Sequence, residues 1–347
     1  MSRKDKMIEN IHKCWYIAKH DPLPENGEAT GMSKSLSGST KQPIARVHII
    51  GAGAVGAAYA SIFYHMDPSC VSFIAGGERF ERLRREGVIV NGEKYPIQVL
   101  NSKDPFPTAD LLIVTVKHHH LDLAIGEMKS SVGPDTIIIS LMNGIDSEER
   151  IAAIYGAEKI LYATVVGIDA LREENNVIYT TQGKIFFGEE RNPVRSDRVR
   201  RVVDIFNRAG IIHEIPADMI RILWWKFMIN VGINQASAAL KGPYGVFQTS
   251  MEAQRLMEAS MREVIALAQQ LAIDLSDLDI EKWYVVLASL SPTGKTSMLQ
   301  DVEAGRKTEV EMLAGKIIEL GRKHGVPTPV NEHLFNMIKK IEALNKN

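Results

Sequence analysis

The sequence predicts an α/β doubly wound parallel sheet followed by an all-α domain, and three observations predict it. From residue 46 onward, short continuous apolar runs alternate with helix-length segments. A glycine-rich G-x-G-x-x-G loop directly follows the first of those runs. Beyond Pro216 the runs give way to long helical patterns. Continuous rather than alternating runs suit strands covered on both faces, and strands alternating with helices form parallel sheets.

Taken in order, Val47–Ile50 is the first strand, and a helix follows to about Tyr64. Val71–Ala75, residues 111–116 and residues 137–141 are the next strands, with helix-length segments between them. After residues 160–166 come two more candidates, 177–180 and 184–187, which read as a hairpin turning at Gln182-Gly183. The helical part shows three long patterns, about 217–241, 249–273 and 298–324, and shorter ones near 278–290 and 330–344. Residues 46–216 are thus a dinucleotide-binding domain and residues 217–347 a helical substrate and catalytic domain. Residues 1–45 stand apart. Asn26 to Pro43 is rich in Gly, Ser, Thr and Lys and cannot build a core, so this stretch reads as a flexible extension with one short helix over 7–19 and no signal-peptide pattern. Met32 is an alternative start.

Composition bounds the function. The chain has 347 residues, enough for two domains that each bury a core, with 45% hydrophobic and 24% charged residues. A formal net charge of −1 provides no field for nucleic acid or an anionic membrane, and the longest apolar runs are too short to span a bilayer. Cys14 and Cys70 belong to no metal-ligand pattern, which points to a reducing, cytoplasmic setting and to no metal. His118-His119-His120 resembles a metal cluster, but adjacent side chains diverge and no acidic or thiol partner is expected nearby, so a solvated loop is the better reading.

Gly51-Ala52-Gly53-Ala54-Val55-Gly56 sits between a strand and a helix, the context that a dinucleotide loop requires. Its first glycine permits the tight turn, the second lets backbone approach a pyrophosphate, and the third packs helix on strand; free N–H groups at the helix start then hold the phosphates. An NAD site usually carries an acid at the tip of the second strand. Here that tip is Ala75-Gly76-Gly77, followed by Glu78 and then Arg79, Arg82, Arg84 and Arg85. A guanidinium suits a 2′-phosphate, so Arg79 favours NADP (NADPH), while Glu78 keeps NAD open. Lys117 and Asn143 follow later strands, at the carboxyl ends where nucleotides lie in such sheets.

The helix over 217–241 is apolar nearly all round, through Trp224, Trp225, Phe227, Met228, Ile229, Val231 and Ile233, and is therefore buried. Yet Lys226, Asn230 and Asn234 recur at i, i+4 and i+8 along one side. Each uncompensated polar group costs roughly 2–7 kcal/mol when buried, so a polar substrate or an internal hydrogen-bond network must satisfy them. Further on, Ser297-Met298-Leu299-Gln300 reads as a capping box opening the helix over 298–324. At about 100° per residue, Arg306 and Glu309 fall on its inward side, where they could also simply pair with each other.

Together these motifs, Gly51-x-Gly53-x-x-Gly56, Thr115-Val116-Lys117, Met142-Asn143-Gly144, Lys226-x₃-Asn230-x₃-Asn234 and Ser297-Met298-Leu299-Gln300-Asp301-x₃-Gly305-Arg306-x-Thr308-Glu309, make the chain resemble ketopantoate reductases over residues 46 to about 340. The resemblance implies a Rossmann-type domain with a C-terminal domain like that of 6-phosphogluconate dehydrogenase. It also implies NADPH-dependent reduction of 2-dehydropantoate to pantoate, on the way to pantothenate and coenzyme A. By position, Lys226 would be the general acid and Glu309 would anchor the substrate hydroxyl and orient that lysine. Asn230, Asn234 and Ser297 would hold the 2-oxo acid, and residues 51–56, Lys117 and Asn143 the nucleotide. Three departures stand out. Gly76 replaces an arginine that grips the 2′-phosphate, Gly294 replaces a substrate-binding asparagine, and Gln235 replaces a proline. They bear on the nucleotide and on the acid, so a sibling reductase of another branched 2-oxo acid stays open. A non-catalytic nucleotide sensor is disfavoured, because the Lys226, Asn230, Asn234 and Glu309 set is complete. The sequence leaves a homodimer open.

Overall fold

The computed structural model describes residues 42–173 and 175–345. The helix expected over 7–19, with most of the extension, lies outside the described residues. Packing begins earlier than expected, at Ile44, which is fully buried, and the N–H groups of Ala45 and Arg46 both donate to Asp110 Oδ2.

The chain runs β1 (Val47–Ile50), α1 (Ala54–Met66), β2 (Val71–Ala75), α2 (Gly77–Glu86), β3 (Val88–Val90), β4 (Glu93–Tyr95), β5 (Gln98–Asn101) and β6 (Leu111–Val114). It continues through α3 (Leu121–Glu127), β7 (Ile137–Ser140), α4 (Ser147–Tyr155), β8 (Ile160–Ile168), β9 (Leu171–Glu173) and β10 (Asn176–Ile178). The first domain closes with β11 (Gln182–Gly188), α5 (Asp197–Ala209) and β12 (His213–Glu214). Eight strands form one sheet in the order β12-β11-β8-β7-β6-β1-β2-β5, parallel except between β8 and β11. Every residue of β1, β2, β6 and β7 is buried. Alternate residues of these strands enter two separate cores: Ile49, Leu111 and Ile139 on one face, and Ile50, Leu112 and Ile138 on the other. That two-sided burial is why the runs are continuous. Chain order reverses between β1 and β6, so the crevice for a ligand opens at the ends of those strands.

The expected hairpin is corrected. β10 and β11 belong to different sheets, and Gln182 and Gly183 lie inside β11, with Gln182 opposite Ile168 of β8. β11 carries the fully buried Ile185 and Phe187 and takes the long, buried β8 as partner. β10 leaves to join β9, β3 and β4 in a small second sheet that the sequence pattern does not disclose.

The second domain comprises α6 (Met219–Ile229), α7 (Gln235–Leu240), α8 (Tyr244–Thr249), α9 (Met251–Gln270), α10 (Asp277–Ser289), α11 (Ser297–Glu303), α12 (Lys316–His324) and α13 (Pro329–Leu344). α6 and α7 form one rod, as predicted, but its centre, Asn230–Asn234, is a wider π-helical turn. The helix expected over 298–324 is broken. α11 stops at Glu303, Gly305 takes the left-handed φ of +64°, and helix resumes at the π-helical turn Glu311–Gly315. A continuous helix would have turned Arg306 inward. Instead its side chain is 55% exposed and its Nε donates to Asp301 Oδ1, so the expected inward Arg306 and its pairing with Glu309 are both corrected. The break also lets Thr308 donate twice, from N and Oγ1, to the buried Glu342 of α13. Ser297 is not the cap of α11: Thr296 caps it, its side chain accepting from Leu299 N at 3.2 Å.

Candidate active site

The glycine loop has the geometry its sequence implies. Gly51 has a φ of +109°, and a Cβ there would lie 2.7 Å from the Thr115 backbone. A Cβ on Gly56 would lie 1.9 Å from Gly51 O, so helix and strand touch only because neither residue has a side chain. Thr115 Oγ1 donates to Gly51 O at 2.7 Å and pins the turn. Gly53 differs: an added Cβ would meet nothing within 4 Å, so its surroundings are open on the side a pyrophosphate would approach. Ala52, Ala54 and Val55 complete the loop, and α1 begins without a side-chain cap or an acid in its first turn, leaving its N–H groups and positive dipole end for phosphate. These residues fit a dinucleotide.

The two domains meet through a chain of polar side chains. Asn230 Nδ2 donates to Asn143 Oδ1, and Asn143 Nδ2 donates to Glu309 Oε2, each at 3.4 Å. His118 N donates to Glu309 Oε1 at 3.3 Å. Asn143, Asn234, Ser297, Met298, Asp301, Glu309 and Leu313 line one narrow, closed crevice here. Asn234 is nearly buried, whereas Ser297, freed from capping, is exposed beside the crevice. The π-helical turn is what aims the two asparagines: it adds a residue to the turn, so their side chains depart from the steady drift of about 40° per four residues along an α-helix.

Lys226 lies on α6 between the domains. Burial pushes its pKa down to about 8, while the carboxylates of Glu309 and Glu148, one from each domain, pull it back up. It is partly buried and joins no ion pair among the described residues, so no carboxylate is in direct contact with its ammonium. Glu148 itself is buried at the start of α4, accepts from Ser147 Oγ at 2.8 Å, and has its pKa pushed up to about 7 by burial. An amine of this kind can give up a proton near neutral pH.

The structure separates some of the sequence candidates from this centre. Lys117 reaches across the cleft, and its Nζ donates to Asp301 Oδ2 at 2.5 Å. Arg79 is held by Glu127 of α3, with Nη2 to Oε1 at 2.7 Å, and is not a free cation. The reading of His118 as a solvated residue without an acidic partner is corrected: its Nε2 lies 3.2 Å from Asp146 Oδ2, brought there by the fold, whereas His119 and His120 are exposed. Among the described residues no group of three His, Cys, Asp or Glu side chains could hold a metal ion. Gln235 spends its amide on Val231 O and on Asn331 of α13, so that departure is a matter of helix packing. Gly294 matters more: a Cβ there would lie 3.0 Å from the Tyr244 ring, which crowds the place of the expected asparagine. Sequence reasoning included Asp301 in the motif that begins at Ser297 but passed over any role for it. It also passed over Glu127, for which no local signal exists.

Comparison with known proteins agrees with this architecture. Residues 47–192 match the family description "Ketopantoate reductase PanE/ApbA", and residues 218–342 match "Ketopantoate reductase PanE/ApbA C terminal". The chain is 29% identical over 305 residues to the 2-dehydropantoate 2-reductase of Pyrococcus horikoshii, covering 86% of this chain and 98% of the relative. It is 26% identical over 303 residues to that of Aquifex aeolicus, covering 86% and 97%. Among solved structures, a PanE/ApbA family ketopantoate reductase from Ralstonia eutropha superposes with a TM-score of 0.74 at 22% identity, over 87% of this chain and all of that one. A D-mandelate dehydrogenase with NADH and anilino(oxo)acetate superposes with a TM-score of 0.78 at 20% identity, with the same coverage.

Proposed function

This chain belongs to the ketopantoate reductase family through both of its domains, and on that premise we propose that it reduces 2-dehydropantoate (ketopantoate) to (R)-pantoate, a step toward pantothenate and coenzyme A. The observation that carries the proposal is Lys226: an ammonium whose charge burial opposes, set in the field of a carboxylate from each domain, Glu309 and Glu148.

When bound, a reduced nicotinamide nucleotide supplies the hydride for the carbonyl carbon. The residues of the chain do the rest. Lys226 points its charge at the carbonyl oxygen and hands over the proton that oxygen needs. Glu309 holds the hydroxyl end of the acid and, by its charge, keeps the lysine protonated. Asn230 and Asn234 hold the acid against the helix, and Ser297 takes its carboxylate. Water is excluded where α6 and the Asn143 loop close on one another. Lys117 and Asn143 border the nucleotide from the strand ends. For the nucleotide itself, the sequence reading names NADPH on the strength of Arg79; that arginine is engaged by Glu127, so the choice falls to the groups around Gly76.

One observation favours a second reading. Tyr244 crowds Gly294, where the family's asparagine would stand, and this supports a sibling reductase of another branched 2-oxo acid. The D-mandelate dehydrogenases that share the fold show that the architecture alone does not select the acid. The test is loss of absorbance at the nicotinamide band with ketopantoate and with a panel of 2-oxo acids. Ketopantoate is expected to have the highest kcat/KM. A tenfold better value on another acid would transfer the assignment to the sibling reading, and nucleotide binding without turnover on any acid would refute both.

A further inference from the structure

The corner where β2, β5 and α3 meet beside the glycine loop holds groups that the reduction chemistry does not use. Gly76 follows β2 in extended backbone and precedes α2. A Cβ on it would lie 2.5 Å from Ser102 Oγ and 2.7 Å from Glu127 Oε1, so residue 76 can carry a side chain only if both groups move. Ser102 is held in place, its N–H donating to Ala75 O at 3.0 Å, directly at the tip of β2. The Glu127 side chain, at the end of α3, is 13% exposed, and Arg79 grips its Oε1.

In a doubly wound sheet the adenosine ribose lies over the tip of the second strand. A 2′-phosphate there is a dianion. Here it would meet a carboxylate whose cation is already committed, and it could recruit Arg79 only by leaving Glu127 uncompensated beside it. Glu78, in the first turn of α2, adds a second negative charge. Partial desolvation and the charges of Arg79 and Lys117 hold the pKa of the exposed His120 below the ordinary imidazole range, which disfavours a positive charge there. A 2′-hydroxyl, by contrast, needs an acceptor. Glu127 offers one from a neighbouring helix, at the place where NAD sites usually carry an acid on the strand itself.

We infer that Glu127, held by Arg79 and facing the side-chain-free Gly76, selects the nucleotide with a free 2′-hydroxyl, so that the enzyme uses NADH in preference to NADPH. The inference rests on the reading of the chain as a nicotinamide-dependent reductase and settles which nucleotide that reading takes. Arg79 is then a positioning residue: it fixes the Glu127 carboxylate rather than touching phosphate.

Binding by the full chain tests this without any acid substrate. Nicotinamide fluorescence is titrated with NADH, NADPH and 2′-deoxy-NADH. A hydrogen bond to a charged acceptor corresponds to about tenfold or more in affinity. NADH is therefore expected to bind about tenfold tighter than both other nucleotides, and Glu127→Gln to lose most of that advantage over 2′-deoxy-NADH. The double variant Gly76→Arg with Glu127→Ala is expected to reverse the order in favour of NADPH. If the wild-type chain binds NADPH as tightly as NADH, or 2′-deoxy-NADH as tightly as NADH, the inference is overturned, whatever becomes of the Glu127 variants. A failure of the reductase reading looks different: nucleotides bind in the expected order, yet no 2-oxo acid is turned over.

Discussion

Lys226 is costly where it stands. Burial opposes its charge, and Glu309 and Glu148 offset only part of that, so the folded chain binds the proton less tightly than the unfolded chain. The sign follows. With the folded pKa at about 8 and the unfolded value at 10.5, the destabilisation is fully present below pH 8 and fades as pH rises toward the unfolded value. Lys226→Met is therefore expected to raise the melting temperature by a few degrees at pH 7, with the gain vanishing near pH 10, as calorimetry across pH would read. The same variant should lose about a hundredfold or more in kcat while nucleotide affinity is unchanged. With the ammonium as the proposed acid, the rate of reduction in the wild type should fall on the alkaline side of pH 8. Replacing Glu309 by Gln removes the largest influence that raises this pKa, so the alkaline limb should move to lower pH. An unmoved limb in the pH–kcat profile would detach Glu309 from the lysine.

At the scale of elements, the π-helical turns and the break after α11 place the site. Asn230–Asn234 is a π-helical turn inside an otherwise regular rod, and Glu311–Gly315 is another, just beyond Glu309. Both adjoin residues assigned to the acid, and both depart from the α-helical period on which the sequence reading relied. Thr296 and Ser297 show how closely structure and function adjoin. Thr296 is buried and caps α11, so Thr296→Ala should cost about 1 kcal/mol or somewhat more in denaturant unfolding. Ser297→Ala should leave stability unchanged and raise KM for the acid. A loss of stability in the serine variant, with KM unaltered, would return Ser297 to the role of a cap.

For the molecule as a whole, the site lies where two separately built domains are brought together. Separate cores cover the two faces of the sheet, another fills the helical domain, and the polar contacts between Lys117 and Asp301, and among Asn230, Asn143 and Glu309, span the gap. On the proposed reading, a nucleotide seated on the loop would also border Lys117 and Asn143, and its binding would be linked to the stability of the closed arrangement. At a hundred times its Kd it should stabilise the chain by about 2.7 kcal/mol. Asp301→Asn, which leaves Lys117 without its carboxylate, should loosen the closure and raise KM for the acid more than it changes the Kd of the nucleotide, as steady-state kinetics and fluorescence titration would separate. No helix among the described residues is long and apolar enough to cross a membrane.

Features set by local chain chemistry were legible in the sequence alone: the glycine loop, because Gly51 and Gly56 allow contacts no other residue permits, and the buried strands, because two-sided burial demands continuous apolar runs; the polar residues Lys226, Asn230 and Asn234 on an apolar rod were legible too, but not the π-helical turn that takes the two asparagines off an α-helical stripe. What depended on distant chain segments was not. The pairing of β11 with β8, the break at Gly305, the contact of His118 with Asp146 and the arrival of Glu127 at Gly76 each join residues whose spacing along the chain carries no periodic signal. Periodicity reports which face of an element is covered, but not by what, and the partner is chosen by packing the whole chain at once.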